Sequence, residues 1–112
     1  MRIDKSCEGA GEETKRKIES TKSLLKQYEI SERTPNGLEN ITIYCGDEKL
    51  IKQRGSDIPI VTVEIRDYLE FKKLAEELGA EVKENTYGAF IRLIERSFEH
   101  EGIKYVNYAL GW

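Results

Sequence analysis

The residues of this 112-residue chain that could carry chemistry are few and scattered. His100 is the only histidine, which excludes the commonest metal-ligand sets and any mechanism that needs two histidines. It lies between Glu99 and Glu101, and neighbouring helical residues point about 100° apart, so these side chains would not converge on one ion. We interpret His100 as a solvated residue near a helix C-terminus, with a general acid or base role as the alternative.

The two cysteines, Cys7 and Cys45, are the next candidates for reactivity. The chain starts without the apolar core of a secretory signal, and no stretch approaches the roughly 18 apolar residues of a membrane span. We therefore expect a cytoplasmic location and free thiols. Cys45 alternates with Ile43 and is typical of a small core residue, whereas a nucleophile with its resolving thiol is the alternative for the pair. Two cysteines and one distant histidine do not make a four-ligand zinc site.

Neither the glycines nor the carboxylates form a catalytic pattern. Segment 9–11 is glycine-rich and precedes a helix, but it lacks the preceding strand and the Lys-Ser/Thr end of a phosphate-binding loop. Glu95 and Glu99 would lie one helical turn apart with Arg92 and Arg96 beside them, which favours surface ion pairs. A glycosidase-type pair would need a cleft. The sequence therefore implies no cofactor and no metal.

Two groups of residues could bind a macromolecule instead. Basic residues on the first helix could contact phosphates and would give weak, salt-sensitive binding to nucleic acid, although a solvated helix face explains them equally well. They are Lys15, Lys22 and Lys26. Aromatic residues crowd into the C-terminal strand, and such residues are enriched at protein interfaces, although closing the core is the alternative. They are Tyr105, Tyr108 and Trp112.

The elements that must position these residues begin after a segment without periodicity. We expect residues 1–11 to be a flexible N-terminal arm and residues 12–112 to be a single α+β domain, since a chain of this length usually makes one domain. The first predicted helix spans residues 12–29. Its stripe consists of Thr14, Ile18, Thr21, Leu24, Leu25 and Tyr28.

Turn residues and alternating apolar residues predict strands in the middle of the chain. Residues 34–37 suit a type I turn. A strand at 41–45, a turn at 46–48 and a return at 50–51 predict a hairpin. Residues 58–65 form the strongest strand signal, with one fully apolar face.

The next helix is predicted from its ends. Asp67 and Glu70 have the spacing of a capping box, and Gly79 is a natural left-handed cap at the other end. Residues 80–84 are extended and would make a short edge strand.

A third helix is predicted to follow Thr86 as its N-cap and to end at Gly102, because apolar residues cover an arc of helical width. They are Tyr87, Phe90, Ile91, Ile94 and Phe98. Residues 103–110 form the last strand. The order α-β-β-β-α-(β)-α-β predicts an α+β domain with a mixed or antiparallel sheet of about four strands and helices mainly on one face.

The charge balance and the scarcity of reactive groups favour binding over catalysis. A net charge of −3 argues against a generic nucleic-acid or membrane-surface binder. We expect a non-catalytic regulatory or inhibitory protein that binds another protein, and homodimerisation by edge pairing of the C-terminal strand. The alternatives are a nucleic-acid-associated accessory protein that uses the first helix, and a small ligand-binding or enzymatic domain with Tyr44, Cys45 or Tyr105 in its pocket wall.

Overall fold

A computed structural model of the protein describes residues 1–30, 37–46 and 60–111. Within these residues, six strands form one mixed sheet, and two helices contribute to a single apolar core with it. The α+β class predicted from the sequence is confirmed. The sheet has more strands than the four that were expected.

The sheet has an N-terminal half and a C-terminal half that meet where β3 pairs with β6. The strands are β1 (Arg2–Ile3), β2 (Ile41–Cys45), β3 (Val61–Ile65), β4 (Lys83–Tyr87), β5 (Arg92–His100) and β6 (Ile103–Gly111), in the order β1-β2-β3-β6-β5-β4. The β1–β2 and β3–β6 pairs are parallel and the others are antiparallel. The C-terminal strand therefore lies between β3 and β5 at residues 103–106, whereas among the described residues 107–111 pair with β5 alone.

The first helix, α1 (Glu12–Ile30), has nearly the predicted bounds. Five members of the predicted stripe are buried, and Leu24 packs against the core while partly exposed. The buried members are Thr14, Ile18, Thr21, Leu25 and Tyr28. Because apolar side chains three and four residues apart share one face of a helix, this stripe turns α1 toward the sheet.

The second helix, α2 (Tyr68–Glu77), begins and ends where its capping residues predict. An Asp67 carboxylate oxygen accepts a hydrogen bond from the backbone N–H of Glu70 at 3.0 Å, which satisfies one of the unpaired donors of the first turn. Gly79 follows the helix with a φ of +64°, a conformation that favours glycine. Phe71, Leu74 and Ala75 carry α2 onto the core.

Residues 83–100 form a β-hairpin, so the predicted third helix is wrong. The apolar residues Ile94 and Phe98 are four apart, a spacing that places them on one face of a helix and equally on one face of a strand. A lone helix depends on packing for its stability, whereas β6 offers β5 a hydrogen-bonded partner along its whole length. The edge strand expected at residues 80–84 is present as β4, which begins three residues later, at Lys83.

Gly102 turns the chain between two strands and does not end a helix. Glu101 and Gly102 have φ values of 51° and 76°, and positive φ at both central residues is what a two-residue type I′ hairpin requires. His100 accordingly ends β5, opposite Ile103, and is not at a helix C-terminus.

Residues 2–7, within the predicted N-terminal arm, contact the edge of the sheet at β2. Ile3 of β1 pairs with Ile43 of β2, and the Asp4 N–H donates to the Ile43 carbonyl at 2.8 Å. A short 3-10 turn then brings Cys7 to Cys45, and the two form a disulfide with Cα atoms 5.0 Å apart. The prediction of free thiols is therefore wrong. The two residues are 38 apart in sequence, and a pattern of local spacings cannot reveal such a contact.

Strand β2 pairs with β3 in antiparallel fashion. The predicted return strand at 50–51 lies outside the described residues, as do most of the turns predicted at 34–37 and 46–48.

Candidate protein-binding surface

The far end of the β4–β5 hairpin exposes a set of large apolar side chains. Phe90 is 94% exposed and Leu110 is 69% exposed. We call this set the hairpin-end surface, and its members are Tyr87, Phe90, Ile91, Leu93 and Leu110. Scattered single apolar residues are normal on a protein surface, but a contiguous group calls for a reason.

Three of these residues form a row across three strands. Tyr87 of β4 pairs with Leu93 of β5, which in turn pairs with Leu110 of β6. Side chains alternate between the two faces of a strand, and Phe98 faces the helices. Leu93 and Phe98 are separated by an odd number of residues in β5, so the row lies on the face of the sheet opposite the helices.

The two remaining members lie in the loop 88–91. Gly88 has a φ of +98°, and the carbonyl oxygen of Ile91 occupies the place that a Cβ would need. Only glycine fits there, which specifies the path of the loop. Phe90 and Ile91 thus occupy a loop of defined shape while remaining exposed to solvent.

The other end of the hairpin is anchored in the core. Phe98 is 2% exposed and lies between Phe71 of α2 and Tyr105 of β6. Arg96 adds a second attachment: its Nε lies 3.2 Å from a Glu84 carboxylate oxygen, and its guanidinium lies 4.2 Å from the centre of the Tyr68 ring. Exposure along β5 therefore increases from the buried Phe98 toward Arg92, where the strand meets the loop.

Asn107 lies at the point where β6 loses its pairing with β3 and continues with β5 alone. The pairing of β6 with β3 ends at Val106. The buried Asn107 amide then donates to the carbonyls of Ile65 and Arg66, at 2.9 and 3.0 Å. These bonds satisfy backbone acceptors at the point where β3 leaves the sheet, since a buried acceptor without a partner is costly. Residues 107–111 of β6 continue with β5 and support the hairpin-end surface.

The predicted interface residue Tyr105 belongs to the core. Its side chain is completely buried, and its hydroxyl has no hydrogen-bond partner of good geometry among the described residues. The hydroxyl of Thr21, a polar neighbour, donates to the Lys17 carbonyl instead. Burial raises the pKa of Tyr105 to about 12. Tyr105 is therefore not available to a partner.

The other two aromatic residues of the C-terminal strand have different positions. Tyr108 is half-buried on the face opposite the helices, across from Glu95. Trp112 lies outside the described residues. Leu110, which was not among the predicted interface residues, is the exposed member of this strand. Tyr108 and Leu110 are two residues apart and therefore share one face of the strand, and this spacing could have indicated that Leu110 is exposed.

The predicted phosphate-binding lysines lie on α1. Lys15 and Lys26 are exposed, and the Nζ of Lys22 lies 3.7 Å from a Glu19 carboxylate oxygen. Because α1 packs on the helix side of the sheet, these residues do not join the row on the opposite face.

The predicted pocket-wall residues do not share one pocket. Tyr44 lies on the face opposite the helices, where its hydroxyl donates to Glu64 at 2.9 Å. Burial raises the pKa of Tyr44, and the Glu64 carboxylate adds to this shift. Cys45 and Tyr105 belong to the core on the helix side. Among the described residues, no group of three or more His, Cys, Asp or Glu side chains could hold a metal ion.

The chain matches no protein-family model, no curated protein and no solved structure. Within the described part of the chain, neither helix combines the length and the apolar character that crossing a bilayer would need.

Proposed function

We propose that this protein is a non-catalytic binding domain whose hairpin-end surface contacts another protein. The observation that carries the proposal is the exposure of Phe90. This large aromatic side chain is 94% exposed at the tip of an anchored hairpin. Nothing in the packing of the described residues uses this ring. Aromatic side chains at the centre of an interface contribute much of the binding energy because they bury a large area with few rotatable bonds.

The surroundings of the surface support the proposal. Polar residues border the apolar row on its own face of the sheet, namely Asn85 of β4 and Glu95 of β5, which pair with each other two residues along the strands. An apolar centre within a polar rim is the usual composition of a protein interface. A domain that binds in this way without reacting would act by occupying a site on its partner, as regulators and inhibitors do.

The test compares the wild type with Phe90→Ser/Ile91→Ser. Both are used for affinity capture from the source cells, and the captured protein is then titrated in purified form. We expect the double variant to lose at least about tenfold in affinity, because hot-spot residues contribute about 2 kcal/mol or more. Unfolding curves establish that both proteins are folded.

The matched control is Lys72→Ser/Glu76→Ser, which changes two exposed residues of α2. It should bind like the wild type. Equal binding by all three proteins would contradict the proposal.

The nucleic-acid alternative is tested separately with Lys15→Glu/Lys22→Glu/Lys26→Glu. Salt-sensitive binding of labelled DNA or RNA by the wild type, lost in this variant, would assign the function to α1.

A further inference from the structure

We infer that β4 pairs with β4 of a second copy of this chain, which joins the two sheets edge to edge. The inference concerns the edge of the sheet and goes beyond the proposed function. Among the described residues, β4 is the last strand in the sheet, and all five of its residues are exposed. The outer N–H and C=O groups of an edge strand are a template for pairing with another chain.

The charges of β4 and the length of strand that can pair together favour one register. In an antiparallel pair related by a two-fold axis through the sheet, directly opposite residues point to the same face. A register centred on Glu84 would place two carboxylates opposite each other. A register centred on Asn85 pairs the whole strand and places Asn85 opposite Asn85, Glu84 opposite Thr86 and Lys83 opposite Tyr87. This register contains no like-charge pair.

The same register covers apolar surface on both copies. Beyond the strand ends, it brings the loop with Phe90 alongside residues 80–82 of the other copy, where Val82 is 37% exposed. At the ends of the ladder, the Lys83 stem can lie along the Tyr87 ring with its ammonium in solvent. Exposed apolar groups of each copy thus meet apolar groups of the other.

Sedimentation velocity over a range of concentrations tests for the dimer. The wild type should pass from a 12.9 kDa species to one of twice that mass in the micromolar range. Thr86→Glu places a carboxylate opposite Glu84 at two symmetric positions, and Thr86→Lys places an ammonium there. We expect the dissociation constant of the dimer to rise about two- to thirtyfold in Thr86→Glu and to fall by a similar factor in Thr86→Lys.

Charge-matched controls separate register from net charge. Lys72→Gln changes the net charge as Thr86→Glu does, and Glu76→Gln changes it as Thr86→Lys does. Both lie on exposed positions of α2 and should leave the dimer unchanged.

A cross-linking experiment tests the two-fold centre directly. Asn85→Cys should form an intermolecular disulfide under mild oxidation, because opposite Cβ atoms lie about 4.5–5.5 Å apart. Glu76→Cys should not.

A chain that stays monomeric at every accessible concentration overturns the inference. A dimer that ignores both Thr86 substitutions overturns it as well, since another surface then holds the copies together. In either case, loss of a captured partner in Phe90→Ser/Ile91→Ser would still support the proposed function.

Discussion

Phe98 stacks on Tyr105 across the β5–β6 ladder, with ring centroids 4.8 Å apart and ring planes inclined by 11°. Phe71 of α2 contacts the Phe98 ring from the helix layer, at 5.1 Å between centroids. All three rings are buried. This cluster joins the hairpin to the core, so the hairpin projects from a fixed base.

Two phenylalanines of the same hairpin should therefore respond differently to truncation. Phe98→Ala leaves a cavity in a packed cluster and should lower the free energy of unfolding by about 3–5 kcal/mol. Phe90→Ala should change it by no more than about 0.5 kcal/mol, because the ring is exposed. Urea unfolding followed by circular dichroism measures both. Similar losses in the two variants would contradict the assigned positions.

Asn107 should tolerate a carboxylate poorly. Asn107→Asp replaces the donor to two backbone carbonyls with an acceptor and leaves a buried charge, which we expect to cost about 3–5 kcal/mol at neutral pH. Acid should restore part of the stability, since a protonated carboxyl can donate one hydrogen bond. Asn85→Asp on the exposed edge strand is the control. Unfolding curves that coincide for the two variants would show that the amide does not hold β3.

The disulfide between Cys7 and Cys45 should stabilise the fold by holding residues 2–7 against β2. Reduction, or Cys7→Ser/Cys45→Ser, should lower the free energy of unfolding by about 2–4 kcal/mol. The Cys45 N–H donates to the Ser6 hydroxyl, so its hydrogen exchange should accelerate on reduction. A reductant should not affect the double variant. Two titratable thiols in the unreduced, denatured protein would disprove the bond.

Glu70 should make stability depend on pH. Burial raises the pKa of this carboxyl above its usual value of 4.5, and the negative charge of Asp67 adds to the effect. The folded state therefore holds a proton that the unfolded state releases, so wild-type stability should decline as the pH rises through 4.5 toward the folded-state pKa.

Glu70→Gln removes this decline. Its stability relative to the wild type should grow over that pH interval, as measured by urea unfolding at each pH. Glu76→Gln, exposed on the same helix, is the control and should run parallel to the wild type. A parallel curve for Glu70→Gln would mean that the carboxyl is ionised without penalty in the fold.

Local sequence signals predicted the elements that local interactions build. The stripe of α1 and the cap at Asp67 depend on residues within a few positions of one another, so their spacing predicts the helices directly. The alternation of Val61, Val63 and Ile65 likewise predicts β3 because neighbouring side chains of a strand face opposite sides.

The candidate surface was predicted only in part. The aromatic residues of the C-terminal strand predicted an interface there, but Tyr105 closes the core and Leu110 is the exposed residue of this strand. The helical spacing of Phe90 predicted that it would pack on the core. Burial depends on which element covers a residue, and spacing along the chain does not contain that information.

The sequence by itself determined an α+β chain, two of its helices, the strand β3 and the scarcity of convergent reactive groups. Tertiary structure decided the rest: the pairing of β5 with β6, the disulfide from Cys7 to Cys45 and the exposure of Phe90. Each of these depends on residues far apart in the chain or on the packing around them. A strand ladder or a disulfide stabilises a segment through its partner, so the outcome depends on contacts that the segment alone does not encode.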